Sequence, residues 1–416
     1  MAELVLGLKT EGRPGLHQFL RLHRRDVGLH SGLHLGDKTL VQRGDIRKAQ
    51  KGASLFRCAF GLDLEFHHGA PTSQIDLIGR SGPRKEPAMP DATVRAVRLD
   101  SAGGPEVLEL TDVRIPEPGP GEVRIRHQAI GLNFIDIYQR DGLYPLSYPT
   151  GLGLEAAGIV EATGVGVTRF AVGDRIAYAN GPPGAYAERH VVHQDRAVQL
   201  PEDIGFETAA AAMLKGMTAE YLIQRVFHVK QGDAILVHAA AGGVGLILCQ
   251  WAQSLGATVI GTVGSETKAE LARTHGCDHV ILYGHEDVAT RVREITSGQG
   301  VAVVYDSVGA ATLDASLNSL RRRGLFVTYG NASGPVPPLE PLRLSRSGSL
   351  FMTRPTLFDY VATVEELDAS AAALFEVIRS GAVRIEIGQT FPLDQVRQAH
   401  EALAGRRTVG STLLIP

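Results

Sequence analysis

The chain has 416 residues, 44% of them hydrophobic and 21% charged, which is enough for two or more cores in a soluble globular protein. A formal charge of −3 gives no electrostatic basis for binding nucleic acid or an anionic membrane, and no apolar run reaches the ~20 residues that span a bilayer. The three cysteines, Cys58, Cys249 and Cys277, match neither a disulfide framework nor a zinc set, so a reducing compartment, the cytoplasm, is expected.

Residues 1–88 are rich in His, Arg, Gly and Leu, and their histidines have no metal-ligand spacing. Ending in the linker-like "GRSGPRKEPA", they bury too little to offset their ordering entropy and are expected to form a poorly ordered N-terminal extension. Within it, "HQFLRLHRR" reads as one or two helical turns. A metal-binding or basic interaction arm is the alternative, and Met89 is a candidate start of the native chain.

From Met89 the pattern changes. "VRAVRLD" and "EVRIRHQAI" alternate as half-buried strands, and "AAGIVEATG", "DRIAYAN", "AYAERHVV" and "AVQLP" follow with dense turn signals between them. A β-rich domain is therefore expected over 93–215. A helical pattern takes over in "FETAAAAMLKGMTAEYLIQRV".

Beyond residue 232, apolar strands ("AILVH", "ATVIGTV", "HVILY", "VAVVYDSV", "LFVTYG", "SLFMT") alternate with helices ("ETKAELARTH", "EDVATRVREIT", "ATLDASLNSLRRR"). Strands apolar on both faces and joined by helices predict a doubly wound parallel sheet of the Rossmann type, placed at 216–355. A long helix through "DYVATVEELDASAAALFEVIRSG" and two last strands, within 356–416, are expected to return to the first domain and make it discontinuous.

In "HAAAGGVGL" a strand runs through a glycine cluster into a helix. The three small positions of a dinucleotide turn fall at Ala240, Gly242 and Gly245, with Gly243 and Val244 at the helix start, where free N–H groups and the helix dipole favour a pyrophosphate. About 20 residues on, "GTVGSETK" carries Gly264, Ser265 and Lys268 and no acid at the strand tip; Glu266 is expected to point away at the helix start. A hydroxyl and an ammonium suit a 2′-phosphate, so NADPH is expected over NADH.

With these features in place, residues from about Thr93 onward resemble the medium-chain dehydrogenase/reductase superfamily, and within it the zinc-independent, zeta-crystallin-like NADPH:quinone oxidoreductases. The matching stretches are "GGPEVL", "IGLNFIDIYQRDGLYP", "GLEAAGIV", "LKGMTAEYL", "HAAAGGVGLILCQWA", "GTVGSETK", "VVYDSVG" and "GSLFMTRPTL". The resemblance implies a GroES-like domain for the β-rich part. At the positions where zinc members of the superfamily keep catalytic ligands stand Asn133 or Phe134, Leu154 and Lys215, and the four-cysteine structural lobe is missing, so no metal site is expected. The resemblance further implies NADPH-dependent quinone reduction, with Asn133 and Tyr138 as the catalytic candidates near nicotinamide and substrate. Lys215, Thr218, Tyr283 and Ser307 are implied cofactor contacts. Gly330, Asn331, Ser333, Thr353 and Arg354 are implied on the nicotinamide side, and Arg406 as a C-terminal clamp. It implies a homodimer through the edge strand of the Rossmann sheet as well. The alternatives are an alkenal or enoyl reductase of the same superfamily, and a non-catalytic NADPH-stabilised RNA-binding or structural protein. The physiological quinone and the number of electrons transferred stay open.

Overall fold

The computed structural model describes residues 92–416, together with the backbone of Glu3–Lys9, His17–His23, Phe56–Arg57 and Asp63–Leu64. Glu3–Lys9 pairs antiparallel with His17–His23. The expected helical turns of "HQFLRLHRR" are thus a strand over His17–His23, because a partner strand upstream outweighs a local pattern too short to hold a helix. The remainder of the 1–88 extension, and the expectation of poor order made for it, lie outside the described residues.

Glu122–Leu132 is the central strand of the first sheet. It pairs antiparallel with Glu155–Thr163 on one side and with Ser411–Ile415 on the other. Arg189–His193 pairs with its first half. Arg175–Tyr178 and Ala197–Gln199 extend the sheet beyond Glu155–Thr163, and Ile387–Pro392 lies parallel to Ser411–Ile415 at the far end. The inward side chains Val123, Ile125, Ile130 and Leu132 are buried against Tyr178, Tyr186 and Leu414.

The second sheet has six parallel strands, in the spatial order His279–Leu282, Thr258–Val263, Ala234–Val237, Val301–Asp306, Leu320–Thr328, Phe351–Thr353. In sequence terms this is 3-2-1-4-5-6, the dinucleotide-binding order, whose switch point lies between Ala234–Val237 and Val301–Asp306. All six residues of Val301–Asp306 are buried, as expected for a strand covered on both faces.

Two helix expectations are corrected. "LRRR" after Leu313–Ser319 is strand, not helix: Leu320 pairs with Val301, and Arg323 turns left-handed (φ 59°) beside Gly324. The long helix expected from Asp359 is broken in two: a short helix Leu357–Tyr360 ends at Val361, and the long one starts at Val364, where Thr363 caps it: its hydroxyl accepts from Glu366 N, and Glu366 reaches back to the Thr363 amide. Helix Phe206–Tyr221, buried along most of its length, packs on both the first sheet and the helix that follows the glycine turn.

Candidate active site

The strand Ala234–Val237 runs into the turn 238–242, and helix Gly243–Ser254 begins directly after, with Gly242 at its cap. Ala239, rather than the Ala240 expected for the tight turn, takes the left-handed backbone (φ 53°). Ala240 instead donates its amide to Thr262 O on the neighbouring strand. Gly245 is where the helix meets the turn: a Cβ there would fall 2.4 Å from Ala239 O. A Cβ on Gly243 would fall 2.6 Å from Lys215 Cδ, so the lysine chain lies across the helix start beside Val244. Below the turn, buried His238 sits between Thr262 Oγ1 (2.9 Å) and Ser316 Oγ (3.0 Å), and Ser316 donates to Asp306. Asp306 also accepts the amides of Val308 and Gly309, so this network ties together the strand ends that form the crevice.

At the tip of Thr258–Val263, Ser265 caps helix Glu266–Arg273 and the Tyr283 hydroxyl lies over Gly264. Glu266 pairs with Arg273 at 3.0 Å, away from the crevice. Lys268 Nζ donates to Arg406 O at 2.8 Å. Arg406, itself left-handed at φ 55°, donates to Ala332 O. Neither cation has an ion pair among the described residues, and burial, then the Arg406 charge, lowers the Lys268 pKa. Two like charges converge here beside a capping hydroxyl.

A residue that the motif reading passed over organises the middle of the cleft. Glu155 is fully buried at the start of its strand; Oε2 accepts from Asn133 Nδ2 (2.8 Å) and from Lys215 Nζ (3.2 Å), while Oε1 accepts from Leu214 N (2.6 Å). Its signal in the sequence is an acid inside the apolar run "GLEAAG". Asn133 opens helix Phe134–Arg140, and Asp136 reaches back to its amide at 2.9 Å. Burial pushes the Asp136 carboxyl up to about 7; it also accepts from Tyr186, and its Oδ1 has no partner. Thr218 lies one turn beyond Lys215 on the same helix, also buried.

Across the crevice, Tyr138 accepts the Asn331 amide at 2.8 Å, which leaves its own proton free to donate. Burial holds this phenol protonated, its pKa pushed up to about 12. Tyr144, also absent from the sequence expectations, stacks edge-on to Tyr138 with ring centres 5.4 Å apart, and its hydroxyl meets the Asn331 side-chain amide at 3.1 Å and Arg354 Nη2 at 2.9 Å. Arg354 follows the edge strand that ends at Thr353 and turns back to Thr328 O. Ser307 O receives the Ala332 amide under Gly330, and the Ser333 hydroxyl is taken up by Val308 O and Ala311 N, so Ser333 shapes the loop with its side chain.

A GroES-like sheet joined to a six-stranded dinucleotide sheet, with a cleft between them, defines a two-domain dehydrogenase/reductase. Residues 119–224 match the family model "Alcohol dehydrogenase GroES-like domain", and residues 243–374 match "Zinc-binding dehydrogenase". Among the described residues, no three His, Cys, Asp or Glu side chains are gathered to hold a metal ion. A quinone oxidoreductase of Pseudomonas aeruginosa is 55% identical over 323 residues, covering 77% of this chain and 99% of the relative. A 2-haloacrylate reductase of a Burkholderia species is 45% identical, covering 78% of this chain and 99% of its own length. The crystal structure of Escherichia coli quinone oxidoreductase complexed with NADPH superimposes with a TM-score of 0.76 at 47% identity, over 77% of this chain and 100% of that one. The chain belongs to the quinone oxidoreductase family of the medium-chain dehydrogenases/reductases.

Proposed function

We propose that this protein catalyses the NADPH-dependent reduction of quinones in the cleft between its GroES-like part (93–215 with 356–416) and its Rossmann part (216–355). The observation that carries the reading is the Asn133–Glu155–Lys215 cluster. Where zinc relatives place ligands, this chain sets Leu154 and an ammonium already paired with a carboxylate, which offer neither thiolate nor imidazole. Its substrate is therefore one that needs no Lewis acid, and quinones qualify because aromatisation drives their reduction.

The residues present fit NADPH. Ala240, Gly242, Gly243, Val244 and Gly245 bring backbone N–H groups to a helix start that favours the pyrophosphate. Lys268 and Arg406 converge with no carboxylate to balance them, which suits a 2′-phosphate, with Ser265, Gly264 and Tyr283 beside it. Lys215, Thr218, Ser307, Gly330, Asn331, Ser333 and Thr353 line the remaining length. When bound, NADPH supplies a hydride. Asn133, held by Glu155 and Asp136, orients the reacting face. Tyr138, kept protonated, donates a hydrogen bond to a quinone oxygen and polarises the ring.

The edge strand Phe351–Thr353 has an open side and exposes Phe351, so a homodimer by sheet continuation is part of the reading. Cys249 and Cys277 are free thiols 3.4 Å apart, which suits a reducing compartment, the cytoplasm. No helix among the described residues is long and apolar enough to cross a membrane.

The test is Lys268→Ala. NADPH affinity, measured by calorimetry, is expected to fall at least ~10-fold, since a charge-assisted contact is lost, and NADH affinity to stay the same. An equal loss for both overturns the cofactor assignment. Faster turnover of crotonyl-CoA than of 1,4-benzoquinone overturns the substrate class.

A further inference from the structure

The cations along the crevice differ in what balances them. Lys215 has Glu155. Lys268 and Arg406 have no carboxylate, and they converge beside the second strand, Thr258–Val263. Arg354 has no ion pair among the described residues either, yet it follows the sixth strand, at the opposite end of the sheet. Its guanidinium is held by neutral acceptors only: Thr328 O at 3.0 Å, the Tyr144 hydroxyl at 2.9 Å and, with the Asn331 amide turned to satisfy both its ends, the Asn331 side-chain oxygen at 3.2 Å. That fixes its direction and leaves other N–H groups without a bond.

A dinucleotide laid across the switch point places its phosphates over the first and second strands, and its nicotinamide end carries no anionic group. The cofactor therefore has nothing to match Arg354. The positive charge, itself exposed, stands beside Tyr144 and Tyr138, where the substrate ring is expected.

We infer that Arg354 selects quinones bearing an anionic substituent, a carboxylate or sulfonate, by pairing with that group while Tyr138 engages the quinone oxygen. The inference rests on the quinone-reductase reading above. Arg354 acts on specificity: it raises the affinity of the anionic substrate over that of its neutral parent.

The experiment compares kcat/KM for 1,2-naphthoquinone-4-sulfonate with that for 1,2-naphthoquinone, so that each ring's intrinsic reactivity cancels between enzyme variants. The sulfonate-to-parent ratio is expected to fall about tenfold in Arg354→Gln, as for loss of a charge-assisted hydrogen bond, to recover in large part in Arg354→Lys, and to decline in the unmodified enzyme as salt rises. An unchanged ratio, including an equal loss for both substrates, overturns the inference while leaving the quinone-reductase reading in place. Absence of turnover for both quinones in the unmodified enzyme overturns that reading and the inference with it. A second readout needs neither turnover nor a variant: calorimetry on the NADP+-loaded protein with naphthalene-1-sulfonate and with 1-naphthalenemethanol. The sulfonate is expected to bind about tenfold tighter; equal affinities overturn the inference.

Discussion

Glu155 holds two groups that sequence motifs place far apart, Asn133 and Lys215, and it does so with no exposure to solvent. In Glu155→Ala the ammonium is left buried without a counter-charge, so the free energy of unfolding measured in urea is expected to fall by about 3 kcal/mol or more, with a smaller loss in Glu155→Gln. Asp136 behaves differently because its native carboxyl titrates near 7 and its unfolded one near 3.8. Below pH 3.8 both states hold the proton and burial adds no cost. Between the two values the unfolded chain releases the proton first, so stability declines with rising pH, and the full cost is present above 7. The urea midpoint of Asp136→Asn is therefore expected to match that of the wild type near pH 4 and to exceed it near pH 8. At this scale the sequence marks positions better than partners. Lys268, Arg406 and Tyr138 are singled out by motif and resemblance, whereas Glu155 and Tyr144 become visible only when Asn133, Lys215 and Arg354 are brought beside them in space.

Elements are read well where apolar runs are long and flanked by turns. The central strands of the parallel sheet follow from segments such as "VAVVYDSV", because double-sided burial leaves no polar alternation to confuse the pattern, and the two outer strands follow from short apolar runs between turns. The errors come where local context overrides the pattern: Leu320–Arg323 joins a strand because Val301 offers it a partner, and the Thr363–Glu366 box restarts the helix after a break at 361–363. The edge strand Phe351–Thr353 exposes 62% of Phe351. Phe351→Lys places a charge on that edge, and if the homodimer proposed above forms there, sedimentation is expected to shift toward monomer. In the glycine turn, Gly245→Val drives two methyls toward Ala239 O. Loss of NADPH binding by calorimetry, together with a destabilisation of about 2 kcal/mol or more, is expected there.

For the whole molecule, response to acid is set by buried imidazoles on both sides of the site. Burial lowers the imidazoles of His127, His190 and His400 to about 3, 4 and 3, with the Arg140 charge adding to the effect at His400, and it lowers that of His238 as well. The unfolded chain takes up protons at these positions below about 6.5 while the native state does not, so stability is lost as pH falls from 6.5 toward 3. Asp136 works in the opposite direction over part of this range, and the imidazoles outnumber the one carboxyl. Stability is expected to fall between pH 6 and 5 by about 1.4 kcal/mol per pH unit for each imidazole not offset, read from urea midpoints, and His400→Gln is expected to lessen the slope.

The chain closes its nucleotide site with residues about 160 positions downstream of the glycine turn. Gly410 bridges to Gly242 and donates its amide to Ala241 O, Arg406 spans Lys268 and Ala332, and Ser411–Ile415 then threads into the sheet beside the strand that begins at Glu122. A polypeptide that stops at residue 404 has every glycine of the turn and still lacks the clasp over it, together with the strand that pairs with Glu122–Leu132.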